Sequence, residues 1–246
     1  MPTITDNAIC IRRWDYSETS QTVSFFARRH GIIRGLLKGA KRAKGRFGGG
    51  IDLLTYGEIV AIDRPDGDLA TVTHWHLLEV YRALHQHLAA NRAGLYMADL
   101  VHHMLREHDP HPRLFDALRS ALTRLEDVPH AQGTLLRFQW SLLCETGYRP
   151  QLDRDAASGK ALPPTSATLS FSATAGGVVA DTGPADRWRV RGETIDLIRA
   201  VAAGDPTEEF DDQYFERANR LLGAYIRELI GVEPPTMKWM LGDLGP

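Results

Sequence analysis

Apolar and polar positions follow two different rhythms along this chain. From residue 7 to 78 the runs are short and close to alternating. NAICIRR (7–13) sets Ala8 and Cys10 on one side and Ile9 and Ile11 on the other. QTVSFFARR (21–29) is rich in β-branched and aromatic residues, and HG at 30–31 is a turn signal before IIRGLLK (32–38), so this stretch predicts a hairpin. LLTYGEIVAID (53–63) and LATVTHWHLLE (69–79) give two more strands, separated by the turn sequence RPDGD (64–68). Five short strands joined by tight turns and one long loop suit a small closed barrel. An OB-fold barrel has this strand number and often binds oligonucleotides, with an SH3-like barrel as the rival.

After residue 79 the spacing becomes helical. Leu84, Leu88, Leu95, Leu100, Met104 and Leu105 recur at three- and four-residue intervals through 80–108, with Gly94 a candidate break or bend. Pro110 and Pro112 start a second helix with Leu114, Leu118, Leu122 and Leu125 in register. AQGTLLRFQWSLLCETG (131–147) is a third, ending at a glycine. Residues 148–190 are rich in small residues, Pro and Gly. They read as an irregular insertion with two β-like pieces, ATLSFS and GVVAD. Two helices, ETIDLIRAVAAG and DDQYFERANRLLGAYIRELIG, follow. The expected class is α+β: an N-terminal five-stranded OB-fold barrel (1–79), then a helical C-terminal domain (80–246) with the insertion at about 148–190.

Charge sharpens this map. The 246 residues carry a formal net charge of only -2, yet residues 1–50 hold ten Lys or Arg against three acids, a net of +7. The remainder holds 19 basic and 28 acidic residues, a net of -9. LKGAKRAKGRFGGG (37–50) alone carries Lys38, Lys41, Arg42, Lys44 and Arg46 among glycines. A basic barrel joined to an acidic remainder points to a polyanion partner for the first part. The expected phosphate contacts are Arg28, Arg29, Arg34, Lys38, Lys41, Arg42, Lys44 and Arg46. Phe47 and Trp14 are the candidate rings for base stacking, worth ~1–3 kcal/mol per base.

Other chemistries are weakly signalled. No phosphate-loop or nucleophile-elbow motif occurs, so no catalytic residue and no cofactor is expected. Cys10 and Cys144 sit in apolar runs and read as packing residues. Ten histidines include His74-Trp75-His76 and the pair His102-His103, which leaves a histidine-metal hydrolase of nucleic acid open as a minor alternative. An RNA-binding OB-fold protein is another. No run of eighteen apolar residues and no signal-peptide pattern is present, so a cytoplasmic protein with no membrane contact is expected.

Several motifs in order resemble one family. YSETS (16–20), RRHG (28–31), GLLKGAKR (35–42) and LLTYGE (53–58) resemble the N-terminal domain of the RecO family of bacterial recombination mediators. FQWSLLCETGYRPQLD (138–153) and ELIGVEPPTMK (228–238) are similar to that family's central helix and last segment. The resemblance implies a DNA repair protein that binds single- and double-stranded DNA and anneals complementary strands. It implies work with RecR and the C-terminal tail of SSB, and indirectly help in loading RecA. Arg137, at the family's R-F step, and Lys238, at its closing lysine, are the candidate cations for the SSB tail, although Arg137 reads equally well as an ordinary solvated arginine. Many relatives carry a four-cysteine zinc module in the insertion. The matching positions here are Asp155, Ser158, Ala180 and Gly183, so no structural zinc is expected.

Overall fold

The computed structural model describes residues 2–42, 47, 49–63, 69–127, 131–162, 169–180 and 187–244. By contacts the chain forms two compact units, residues 1–128 and 129–246. The sequence boundary at 79/80 lies inside the first unit, because three helices follow the barrel within it.

The barrel strands are β1 (Thr3–Asp15), β2 (Gln21–Ala27), β3 (Gly31–Leu37), β4 (Tyr56–Ile62) and β5 (Ala70–Glu79). They close in the order β1-β2-β3-β5-β4, with β1 pairing both β2 and β4. Only β3 and β5 run parallel. This order makes the barrel OB-like, the distinction that strand patterns alone left open. β1 serves two partners because a bulge between Cys10 and Arg12 bends it. Alternate residues fill the interior: Ala8, Cys10, Val23, Phe25, Ile33, Leu37, Ile59 and Val72, with Trp75 packed against them. Burial pushes the Cys10 thiol up to about 12, which fits an inert packing residue.

Helices α1 (Ala83–Gln86), α2 (Leu88–Met104) and α3 (Pro112–Arg124) complete the first unit. The break in the predicted 80–108 helix falls at His87, whose backbone is extended (φ -126°, ψ 119°), and not at Gly94. Gly94 lies buried inside α2, where an added Cβ would stand 2.9 Å from Leu54 Cδ1 and 3.5 Å from Leu122 Cδ2. Its role is close packing. Phe25 and Phe26 are adjacent on β2 and both fully buried. Phe25 faces the barrel core, while Phe26 faces outward and meets Phe115 of α3 edge-on at 5.6 Å. The α2–α3 connection is pinned to β3 as well: the His108 N–H donates to Ile32 O at 3.1 Å. Gly31 permits this approach. It has φ +67°, and a Cβ there would lie 2.3 Å from Asp109 O.

The second unit contains α4 (Ala131–Glu145), β6 (Leu169–Ser172), β7 (Gly177–Val179), β8 (Arg187–Val190), α5 (Gly192–Ala203), α6 (Asp212–Ile230) and α7 (Pro235–Leu241). Buried polar side chains lock α4 to α6: Gln139 Nε2 donates to Asn219 Oδ1 at 2.8 Å, and Asn219 Nδ2 donates to Gln132 Oε1 at 2.8 Å. The insertion is not irregular throughout. It forms a three-stranded sheet in the order β7-β6-β8. β8 and α7 escaped the sequence reading because four and seven residues are too short to establish a period.

Candidate nucleic-acid interface

Strand register places the outward side chains of the barrel in rows. Trp14 stands opposite Thr22, Thr22 opposite Leu36, and Leu36 opposite Thr71. The next row joins Arg12, Ser24 and Arg34, and a further row joins Phe26 and Ile32. The Phe26 end is covered by α3 and the α2–α3 connection. The Trp14 end is open. Trp14 is 44% exposed, Tyr16 in the β1–β2 turn is 63% exposed, and the Arg12 guanidinium lies 5.8 Å from the Trp14 ring centre. A concave site of about 360 Å³ opens beside this row, lined by Tyr16, Thr19, Ser20, Leu36, Lys38, Gly39 and Arg42. It sits on the β2–β3 face and the β1–β2 loop, the surfaces through which OB-folds engage oligonucleotides.

The expected cations separate into two sets. Around the β2–β3 turn, each has an acidic partner in the first unit. Arg28 makes a two-pronged ion pair with Asp116 on α3, at 2.9 and 2.8 Å. That bond raises the Arg28 pKa and lowers that of Asp116. Arg29 reaches the buried Asp6 and Thr5 O, and His30 Nδ1 lies 2.7 Å from the same Asp6 carboxylate. Arg34 meets Glu107 at 3.3 Å. These three side chains hold the turn and the helices to the barrel.

At the opposite end of the strands, Lys41 bonds Asp15 at 2.8 Å and Ser17 O at 3.2 Å, tying its loop to the β1–β2 turn. Lys38 and Arg42 are exposed and, among the described residues, meet no carboxylate. Phe47 is partly buried against the barrel core rather than displayed as a stacking platform. Lys44 and Arg46 lie outside the described residues. Sequence reasoning missed Tyr16 and Leu36: strand register sets Leu36 in the Trp14 row, and the β1–β2 turn brings Tyr16 to the same site as Lys38 and Arg42.

In the second unit, Arg137 donates to Thr207 Oγ1 at 3.0 Å and to its own helix at Gly133 O. Lys238 is exposed on α7 beside Trp239, itself 56% exposed. Of the positions matching the relatives' zinc module, Ser158 and Ala180 converge on the Asp155 carboxylate, and Gly183 lies outside the described residues. Asp155 Oδ1 accepts from the N–H groups of Ala157 (3.0 Å) and Ser158 (2.7 Å) and from Ser158 Oγ (2.9 Å), while Oδ2 accepts from Ala180 N–H at 2.7 Å. A carboxylate saturated in this way, one hydroxyl, an alanine and a glycine do not suit tetrahedral zinc. Among the described residues no three His, Cys, Asp or Glu side chains converge on a possible metal position. His102 and His103 pack edge to face at 5.2 Å, and burial, with Arg12 nearby, holds the His102 pKa down at about 4.

Two family models cover this chain: "Recombination protein O N terminal" over residues 1–81 and "Recombination protein O C terminal" over residues 85–238. The chain belongs to the RecO family. RecO proteins are non-enzymatic recombination mediators, and several relatives have similar sequences. The DNA repair protein RecO of Rhodopirellula baltica is 35% identical over 199 residues, covering 80% of this chain and 74% of that protein. The RecO protein of Syntrophotalea carbinolica is 27% identical, covering 72% of this chain and 68% of its own. That of Methylococcus capsulatus is 35% identical over 159 residues, covering 65% and 64%. No helix among the described residues is long and apolar enough to cross a membrane.

Proposed function

We propose that this RecO-family chain binds DNA through the open end of its barrel face and serves as a mediator of strand annealing in DNA repair. One observation carries the reading: Lys38 and Arg42, without carboxylate partners among the described residues, flank a site continuous with the exposed rings of Trp14 and Tyr16. Cations beside aromatic rings are what a single strand needs, phosphates being neutralised while bases stack. Arg28, Arg29 and Arg34 are secondary contacts, since a phosphate must compete there with Asp116, Asp6 and Glu107. Lys44 and Arg46 extend the cationic loop in sequence. Double-stranded DNA is engaged by the same charge, independently of sequence. Annealing requires two strands held with their charge screened and no catalytic group.

The family relationship supports RecR and the SSB tail as partners and RecA loading as the outcome, in the cytoplasm at the nucleoid. Arg137 and Lys238 are the proposed contacts for the acidic SSB tail. Among the described residues, the Arg137 guanidinium is held by a hydroxyl and a carbonyl and meets no carboxylate, which leaves its charge for that peptide.

The test is fluorescence anisotropy of a labelled single strand across a salt series. Removing two phosphate contacts in Lys38→Ala/Arg42→Ala should flatten the slope of log affinity against log salt by roughly 1.4. Trp14→Ala should weaken binding about 5- to 150-fold at every salt concentration. Unchanged slope and affinity in both variants would refute the interface, and tighter binding of an RNA strand of equal sequence would favour the RNA-binding alternative.

A further inference from the structure

The second unit holds a cationic pocket that plays no part in the interface described above. It encloses about 330 Å³ between β8, the start of α5 and one face of α6, and is lined by Trp188, Arg189, Arg191, Arg217, Arg220 and Arg227, among others. Among the described residues that line it, five are arginines and none is an acid. This is unexpected in the part of the chain that carries the net negative charge. Arg217, Arg220, Leu221, Ala224 and Arg227 recur at three- and four-residue spacing, so they share one helical face.

The arginines differ in how far they are already satisfied. Arg227 pairs with Glu228 and Glu233, at 3.6 and 3.5 Å. Arg220 donates to the carbonyls of Leu241 and Asp243, fastening the segment after α7. Among the described residues, Arg217 donates to the neutral Gln213 amide oxygen and meets no carboxylate, and it lies 5.7 Å from the Tyr214 ring centre. Arg189 and Arg191 are exposed and, among the described residues, meet no carboxylate. Trp188 is held in place by stacking on Phe171, with ring centres 5.9 Å apart and planes 5° from parallel.

We propose that this pocket is a second nucleic-acid site, which takes the phosphodiester backbone of a strand on its arginines with Trp188 as a stacking platform. The proposal rests on the reading of the chain as a DNA-binding protein and adds to it a contact in the second unit. Guanidinium groups match phosphate oxygens two at a time. From Arg217 to Arg227 the row runs ~15 Å along α6, which suits a chain of phosphates better than one isolated ion. A fixed indole beside those cations favours nucleic acid over an acidic peptide, because every base offers a face to stack on. A mediator with a phosphate site in each unit has the contacts to hold more than one stretch of strand.

The experiment uses the full chain and a labelled thymidine oligonucleotide long enough to reach both sites, titrated across a salt series. The variant is Arg189→Ala/Arg191→Ala/Arg217→Ala, which spares the structural Arg220. Arg191→Glu alone, at an exposed position, guards against a folding failure. Loss of three phosphate contacts should flatten the salt slope by roughly 2. The annealing rate of complementary strands should fall, and Arg191→Glu should move both in the same direction. The barrel variant Lys38→Ala/Arg42→Ala is measured in parallel. If it weakens binding while both pocket variants match the parent in slope and annealing rate, the second site is refuted and the barrel reading stands. If pyrophosphate or a glutamate-rich peptide loses binding in the pocket variants while the oligonucleotide does not, the pocket serves another anion and the proposal fails.

Discussion

Asp155 offers a direct test of how the inserted sheet is held. Its carboxylate accepts four hydrogen bonds, three from the 157–158 turn and one from Ala180 just after β7. Hydrogen bonds to a charged group contribute ~1.5–3 kcal/mol each, but the freed turn can partly return to water. Asp155→Asn keeps the shape while turning an amide N–H₂ toward backbone donors on one side, and should cost roughly 2 kcal/mol. For a chain of this size that is a fall in melting temperature of roughly 4–8 °C by calorimetry. The pH dependence follows from the same bonds. They hold the Asp155 carboxyl at about 2, below its ordinary 3.8, with the Ala180 N–H bond as the first cause. A depressed acid stabilises fully above its unfolded value, and that contribution is lost as pH falls from about 4 through about 2. The difference between parent and Asp155→Asn should therefore be constant from pH 7 to 5 and shrink below pH 4. Amide exchange at Ala157, Ser158 and Ala180 should quicken in the variant, and a chelator should leave the parent's melting temperature unchanged. A variant melting within 1 °C of the parent at pH 7, with those amides still protected, would refute the reasoning.

Gly31→Ala should destabilise the first unit by at least ~2 kcal/mol, since it combines an unfavourable positive φ with a Cβ 2.3 Å from Asp109 O, and urea denaturation will read it. Burial and the nearby Arg12 hold the His102 pKa at about 4, so its contribution to stability is complete above the unfolded value near 6.5 and declines as pH falls toward 4. His102→Asn should remove that part of the mild-acid loss in melts taken at pH 7, 5.5 and 4.5, and an unaltered pH profile would count against it.

The β-branched and aromatic content of QTVSFFA, the turn signal at His30-Gly31 and the apolar run IIRGLL were enough to define the β2–β3 hairpin, because such residues favour a pleated, buried strand and the turn brings the second strand back on the first. The concentration of cations in the first fifty residues was equally legible, and with it the expectation of a polyanion. Spacing also revealed the helical character after residue 79, since a helix must present its apolar side chains every three to four residues. The chain alone did not reveal which cations are already satisfied. Arg28 and Asp116 are 88 residues apart, and only the packing of α3 against the barrel makes them partners. Phe25 and Phe26 are neighbours in sequence, and only the packing of α3, which brings Phe115 against Phe26, buries the outward one. The same holds for the row from Trp14 through Thr22 to Leu36, and for the arginines that β8 and α6 bring to one pocket. Local pattern encodes which face of an element is buried. What that face meets, and which charges remain for a ligand, depends on contacts between residues far apart in sequence, and tertiary structure alone determines them.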